Sequence, residues 1–318
     1  MKKVLETVAL VILIMALALC FTSPVLAEEE EAHQPPVLEQ TVSFDVSAFT
    51  PLELNEDAAP YVPSAAGYLP DKTGYEDASI KVTILTDRAY DTNIMIALID
   101  IASPTQLRTY RASLTNGKAT RPASALAKRA NAVAACNGDF YTYSSGRDGF
   151  IYRAGEMIRD NPAKDKDVLI IDSKGDMHII VEPTDEAIAA YEGDIVNAFS
   201  FGPGLIIDGE KRADLESSKC AVGPLRETQR IAFCQRGELS YAIVATEGPE
   251  NKKSTGLTIF EFQNYLYSLG VQQAFNLDGG SSSTVVLNNE KINALSSHKV
   301  RYVYDIIYFA TLVDGEAK

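Results

Sequence analysis

Tryptophan is absent from this chain, and only 4 cysteines and 3 histidines occur in 318 residues. Each scarcity removes a class of chemistry. Once Cys20 is set aside with the leader described below, Cys136, Cys220 and Cys234 are an odd set without close spacing. That excludes a disulfide scaffold and a zinc cluster. Cys136 and Cys234 fall inside apolar runs and read as small buried residues. His33, His178 and His298 lie far apart, the first in an irregular segment and the second in an alternating strand. A Ser/His/Asp triad would need His298, and no nucleophile elbow accompanies it. A histidine-built metal site is equally out of reach. Chemistry has to run on carboxylates, arginines, amides and backbone.

Basic runs are missing as well. The formal net charge is −14, and the first 27 residues carry +1 of it, so the remainder stands at −15. So acidic a chain repels nucleic acid and anionic lipid. A calcium ion held by aspartates and backbone oxygens is compatible with that charge, but nothing in the sequence requires one, and no cofactor is expected. Long apolar runs are confined to the N-terminus. Lys2 and Lys3 precede an unbroken apolar stretch from Val8 to Phe21, and Ala27 offers a small residue for cleavage. Residues 1–27 therefore read as an export signal, and the stretch is short of the roughly 20 apolar residues that span a bilayer. Lipid attachment at Cys20 ranks second, because Leu19 is large where such signals want a small residue. The mature chain is expected outside the cytoplasm, secreted or held in the envelope, with no stable membrane insertion.

Residues 28–75 begin with four glutamates and contain six prolines without regular periodicity. They read as an acidic, extended tether, with one strand at 42–46. From residue 76 onward the pattern is dense. Strands are expected at 80–85, 94–102, 133–136, 168–171, 177–181, 205–207, 231–234, 239–245, 285–287 and 301–312. A short alanine-rich helix is expected at 123–130. Thr184 with Asp185 and Glu186 caps a second. Thr258 and Glu261 form a capping box for a third, which Gly270 stops. Strands outnumber helices without alternating with them. The class is α+β: a strand-rich single domain, 76–318, with mixed β-sheet and a few packed helices.

The densest polar signal is Asn276-Leu277-Asp278-Gly279-Gly280-Ser281-Ser282-Ser283-Thr284. An apolar run ends on a carboxylate, and two glycines and four hydroxyls lead into the next run, 285–287. Glycine turns with a capping aspartate are common, but the hydroxyl run points to a ligand beside Asp278. Asn137-Gly138-Asp139-Phe140-Tyr141 also closes a small-residue strand, and alone would read as a hairpin turn. Together the two strand ends release Asp139 and Asp278, and paired carboxylates flanking a sugar are what glycoside hydrolysis uses. Glu247, ending the strand at 239–245, is a third carboxylate candidate. Arg226, Arg230 and Arg153 are guanidinium candidates for gripping phosphate, with a surface ion pair the plainer reading of Arg226.

These motifs resemble the phosphodiester glycosidase family. The resemblance rests on Asn137 to Tyr141, on Gly149 with Arg153 and Gly155, and on Phe201-Gly202-Pro203. It continues through Arg230-Ile231-Ala232, Ser254-Thr255-Gly256-Leu257-Thr258, Asn276 to Gly280, and Arg301 with Asp305. It implies an exported hydrolase that cleaves a sugar-1-phosphodiester at the anomeric carbon, the sugar being N-acetylglucosamine in the best-known member. The substrate would be a phosphorylated glycan outside the cell. On that reading Asp278 stands beside the anomeric carbon as nucleophile or base, with Asp139 as its partner and Glu247 a third carboxylate whose role stays open. Arg230 and the amides and hydroxyls of Gly279, Gly280, Ser281 and Ser282 would hold phosphate oxygens. Asn137, Arg153 and Arg301 would orient the substrate. The chain departs from the family at Thr228-Gln229, where many bacterial members have Asn-Pro. It also departs at Cys234 and Ser281, where they have glycine, and at Glu247-Gly248-Pro249, where they have Asp-Gly-Arg. The last departure leaves open a non-catalytic glycan- or wall-polymer-binding module. A metal-dependent phosphodiesterase is a third reading, disfavoured by the dearth of histidine.

Overall fold

The structure is a computed structural model and describes residues 33–39, 41–56, 60–113, 119–139, 149–163, 165–220, 225–294 and 300–315. The leader and its Cys20, together with Phe140, Tyr141 and His298, lie outside the described residues. By contacts the chain divides into residues 1–34 and a compact unit of residues 35–318, which holds all the strands and helices named below. Among the described residues no helix is long and apolar enough to cross a membrane.

Alternation of apolar and polar residues gives long antiparallel strands. Ile80–Ala89 and Thr92–Ile101 form a hairpin. Tyr90 and Asp91 turn it with φ of 49° and 51°, the two left-handed residues that match the twist of the strands they join. The hairpin lies within an eight-stranded sheet. Its order is Gly74–Glu76, Ile80–Ala89, Thr92–Ile101, Ser240–Thr246, Ile231–Gly237, Gln273–Leu277, Gly204–Ile207 and Glu210–Lys211.

The two faces of this sheet bury different residues, as a two-residue period requires. Ala97, Ile99, Ile231, Phe233, Phe275 and Leu277 point into the main core. Ile96, Leu98, Ala232, Cys234 and Ala274 point the other way, onto the helix Ile259–Ser268. That helix starts at the expected capping box, with Thr258 and Glu261 satisfying each other's backbone amides, and Gly270 follows it with φ 71°. Helices also form at Ala123–Arg129 and Asp185–Ala189.

Two five-stranded sheets close the main core. One runs Glu156–Asn161, Gly149–Arg153, Asn197–Phe201, Asp167–Ile171, Met177–Ile180. The other runs Glu290–Lys291, Val285–Leu287, Ala134–Asn137, Asp305–Phe309, Leu107–Arg111. Phe233, Tyr241 and Phe309 meet at ring-centroid separations of 5.5–6.1 Å where sheets face each other. Cys136 and Cys234 are fully buried and unpaired with each other, and burial pushes both thiols far above their ordinary pKa.

The α+β, strand-rich class holds. The sheets are not mixed, however, because every ladder among the described residues is antiparallel. Some of these ladders are hairpins closed by a short turn, and others join strands far apart in sequence. No strand forms at 42–46. Asp45 caps a single 3-10 turn there, Val46–Ala48. The strand expected at 301–312 contracts to Asp305–Phe309.

The tether reading also changes. Residues expected to hang free lie along the domain. Arg108 donates to the carbonyls of Glu53 (2.9 Å) and Asn55 (2.6 Å), and Arg111 pairs with Glu56 at 2.5 Å with both side chains buried. Leu52 packs against the helix Ala123–Arg129 cluster and Leu38 against the Ile259–Ser268 cluster. Without periodicity a segment cannot form an element of its own, yet it can still satisfy the polar groups of a finished domain.

Candidate active site

Three adjacent strand ends build the site. Ile231 pairs with both Ala245 and Leu277, so Arg230, Thr246 and Asp278 emerge side by side at one end of the large sheet. After Asp278 the chain turns sharply. A side chain at Gly279 would place its Cβ 2.5 Å from the carbonyl oxygen of Gln229, and Gly280 adopts φ 55°. Only glycine meets both demands cheaply. The Gly280 N–H donates to the same Gln229 carbonyl (2.8 Å), and Ser282 N–H to that of Gly279 (3.1 Å). Those two amides are consumed by the turn itself. Of the amides expected to hold phosphate, only those of Gly279 and Ser281 have no protein acceptor among the described residues.

The turn is fixed from behind. Asn137, on the strand Ala134–Asn137, donates Nδ2 to the Asp278 carbonyl (3.0 Å) and accepts the Thr284 N–H on Oδ1 (3.0 Å). Asn137 therefore clips both ends of the turn to the neighbouring sheet, where orientation of the substrate had been expected of it.

In front of Asp278 lies a hollow of about 410 Å³. Asp278, Gly279, Gly280, Arg230 and Arg301 line it, with Lys166, Lys219, Gln229, Asn276 and the Gly202–Pro203 segment. The Asp278 side chain is 19 % exposed. Burial raises its carboxyl above the ordinary range, while a hydrogen bond from Ser282 and the Arg301 charge pull the other way. Arg301 Nη1 stands 3.8 Å from Asp278 Oδ2 and donates to Ser282 Oγ at 3.3 Å. Arg230 gives Nε to the Leu257 carbonyl (3.1 Å) and Nη2 to that of Arg226 (2.9 Å). Burial, and then Arg226, brings its pKa down to about 10, so it stays cationic at neutral pH. Lys166, Lys219, Arg230 and Arg301 outnumber Asp165 and Asp278, which makes the hollow net positive in an acidic protein. Ser281 is off the lining; Ser282 acts through Asp278 and Arg301.

Three expected contacts fall elsewhere. Arg153, whose side chain has no exposure, donates Nε to Asp305 (2.7 Å) and Nη1 to the Tyr152 carbonyl, and stacks on Phe199 at 4.1 Å. It is a core cation and not a substrate grip. Asp139 is buried with it. Its N–H donates to Asp305 (3.0 Å), its Oδ2 accepts the Ser200 N–H (2.8 Å), and Arg153 stands 3.7 Å away. Asp139 does not line the hollow, and burial pushes its carboxyl up to about 7 against the pull of Arg153. Glu247 lines a different cavity, beyond Arg230 and Thr246. The physical reason is common to all three. Their neighbours in space come from strands more than a hundred positions away, or from loops whose folding local sequence does not announce.

Residues to which the sequence reading gave no role join the site. Lys166 and Lys219 supply charge. Asn276 sits in the buried strand Gln273–Leu277, donates Nδ2 to the Gly202 carbonyl (2.8 Å), and its Oδ1 has no partner. A polar residue between the apolar Phe275 and Leu277 was the signal available for it. Among the described residues no group of three or more His, Cys, Asp and Glu gathers as a metal site.

Comparison with known proteins agrees with this geometry. The sequence profile described as phosphodiester glycosidase matches residues 130–310, more than half of the chain. A relative, the SPbeta prophage-derived uncharacterized protein YomE of Bacillus subtilis (strain 168), is 24 % identical over 185 residues. That alignment covers 57 % of this chain but 28 % of YomE, so the chain spans well under half of its relative's length. Among solved structures, the zebrafish N-acetylglucosamine-1-phosphodiester alpha-N-acetylglucosaminidase catalytic domain, auto-inhibited by its pro-peptide, superposes with a TM-score of 0.58. It is 17 % identical, over 79 % of this chain and 87 % of that one. A hypothetical protein from Synechocystis gives 0.57 at 14 % identity, over 72 % and 62 %. At those identities the superpositions show a shared fold, and the profile match shows kinship. The chain belongs to the phosphodiester glycosidase family.

Proposed function

We propose that this protein is an exported hydrolase that cleaves a sugar-1-phosphodiester, of the N-acetylglucosamine kind, at the anomeric carbon of a phosphorylated glycan outside the cell. The observation that carries the reading is one carboxylate of raised basicity, Asp278, facing a hollow ringed by cations. Export is read from Lys2, Lys3 and the apolar run that comes after them.

Water's oxygen bonds to the anomeric carbon, and Asp278 takes its proton as general base. The C–O bond to phosphate breaks, and the electron pair leaves on the phosphate monoester. Such a leaving group departs as an anion without a proton donor, which suits a site lined by a single half-buried catalytic carboxylate and not the two that most glycosidases need. Arg230 and Arg301, with the free Gly279 amide, stabilise that departing charge. Asp139 serves as a positioning residue, holding the strand end that carries Asn137.

Incubation with a sugar-1-phosphodiester tests this reading through its products. Free reducing sugar plus a phosphate monoester is expected. Sugar phosphate as product would mean cleavage of the P–O bond and overturn it, and binding without any product would establish a non-catalytic glycan-binding module instead. Arg301, half exposed at the mouth, should matter mainly for capture. Arg301→Ala is expected to raise KM on the order of ten-fold, with a smaller change in kcat, as loss of one charge-assisted contact predicts. Steady-state kinetics at low and moderate salt check it, and the difference should shrink as salt rises.

A further inference from the structure

A second cavity, about 610 Å³, opens at the same sheet end, beside Glu247. Thr246 pairs with Ile94, its N–H donates to the Arg230 carbonyl (2.9 Å), and its Oγ1 accepts the Arg230 N–H (2.8 Å). The Gln229–Arg230 segment, which lines the Asp278 hollow, is thus tied to the strand end that lines this cavity. Gln229 reaches across with Nε2 on the carbonyl of Ala294, a wall residue of the second cavity.

Glu247 is held there with unusual definition. Asn93 Nδ2 (2.8 Å), Asn251 Nδ2 (2.6 Å) and Ser254 Oγ (2.6 Å) all donate to its Oε2. No donor from the described residues reaches Oε1, and the residue lines the cavity. Ile94, Met95, Ala245 and Ala294 give that cavity an apolar wall. Its charged groups are Asp87, whose carboxylate accepts the Tyr265 hydroxyl, Glu247 and Arg88, so it lacks the excess of cations that marks the Asp278 hollow. An apolar wall with a few fixed acceptors, at this volume, fits one or two neutral rings rich in hydroxyl donors.

The geometry points to a carbohydrate subsite, in which Glu247 Oε1 accepts hydroxyls of a neutral sugar ring packed against Met95 and Ala294. Glu247 is then a binding residue and not a third catalytic carboxylate. That this ring belongs to the same molecule whose phosphodiester lies at Asp278 rests on the proposed reaction; the subsite itself does not.

The test is binding, independent of turnover. The purified protein, wild type and Asp278→Asn, is titrated with a trimer of N-acetylglucosamine carrying no phosphate. The side-chain amide signals of Asn93 and Asn251 are followed by NMR. Both proteins should show saturable shifts there. In Glu247→Gln the amide oxygen keeps the three donors while its NH₂ replaces the free acceptor, and affinity should fall about ten-fold or more. Ala294→Trp fills the cavity from its rim and should abolish the shifts, with folding checked from the unchanged remainder of the spectrum. Shifts confined to Asn137 and Asn276, indifference to both substitutions, or no saturable binding would each overturn the subsite. Should the trimer bind here while no sugar-1-phosphodiester is cleaved, the subsite stands and the proposed reaction falls.

Discussion

Asp278→Asn should lower turnover of a sugar-1-phosphodiester by roughly 10³-fold or more, the scale of losing a positioned base or nucleophile, while the protein stays folded. Asparagine keeps the shape and an acceptor for Ser282, and Asn137 holds the turn through the main chain of residue 278, which the substitution does not alter. Circular dichroism and the urea midpoint should therefore move little, and KM less than kcat. Activity within ten-fold of wild type would remove Asp278 from the chemistry. The raised carboxyl carries a second expectation. The acidic limb of the kcat/KM profile should fall at a pH above the ordinary aspartate range, near 3.9, since the base works only when ionised.

The other large effect concerns stability. Arg153, Asp139 and Asp305 place one cation and two carboxyls in the core, all without side-chain exposure. Arg153→Met leaves both acids without their counter-charge and should cost about 3–5 kcal/mol in urea unfolding, the usual scale for breaking a buried ion pair from one side. Asp139 gives this cluster a pH signature. Its folded pKa, about 7, lies above the unfolded value near 3.9. Between those limits the folded chain binds a proton that the unfolded chain releases. Unfolding free energy attributable to this group thus falls as pH rises from about 4 to about 7, by at most about 1.4 kcal/mol per unit, and levels off above. Asp139→Asn removes the titration. The stability of the variant relative to wild type should therefore increase across that window and stay constant beyond it, as urea curves at a series of pH values would measure. The same variant should retain turnover, because its side chain supports the site from within.

What could be read in advance followed locality. The Thr258–Glu261 capping box, Gly270 after its helix and the Asp278 turn are each set by residues within a few positions and stand where the pattern put them, while the strands expected at 80–85 and 94–102 form with the bounds Ile80–Ala89 and Thr92–Ile101. Asp305 meets Arg153 across 152 positions, and nothing near either residue announces the meeting. Motif membership drew Arg153, Asp139 and Asn137 toward the ligand, although such residues serve equally to hold a site from behind. Glu247 was misplaced by a smaller margin. It emerges at the right end of the right sheet, one strand beyond the hollow, and register alone decides which cavity it joins. The proline-rich stretch before residue 75 lacked any period, and that absence describes what the segment cannot build, not what it can lie against. Lys166 and Lys219 carried no signal at all, being lysines on loops.

The strand Asp305–Phe309 lies between Ala134–Asn137 and Leu107–Arg111, so the centre of that sheet comes from a segment far downstream of both its neighbours. Asn137 cannot be seated, nor Asp139 shielded, before it arrives. The Asp278 turn is therefore fixed only once this distant pairing has closed, and pairing over such a separation closes slowly.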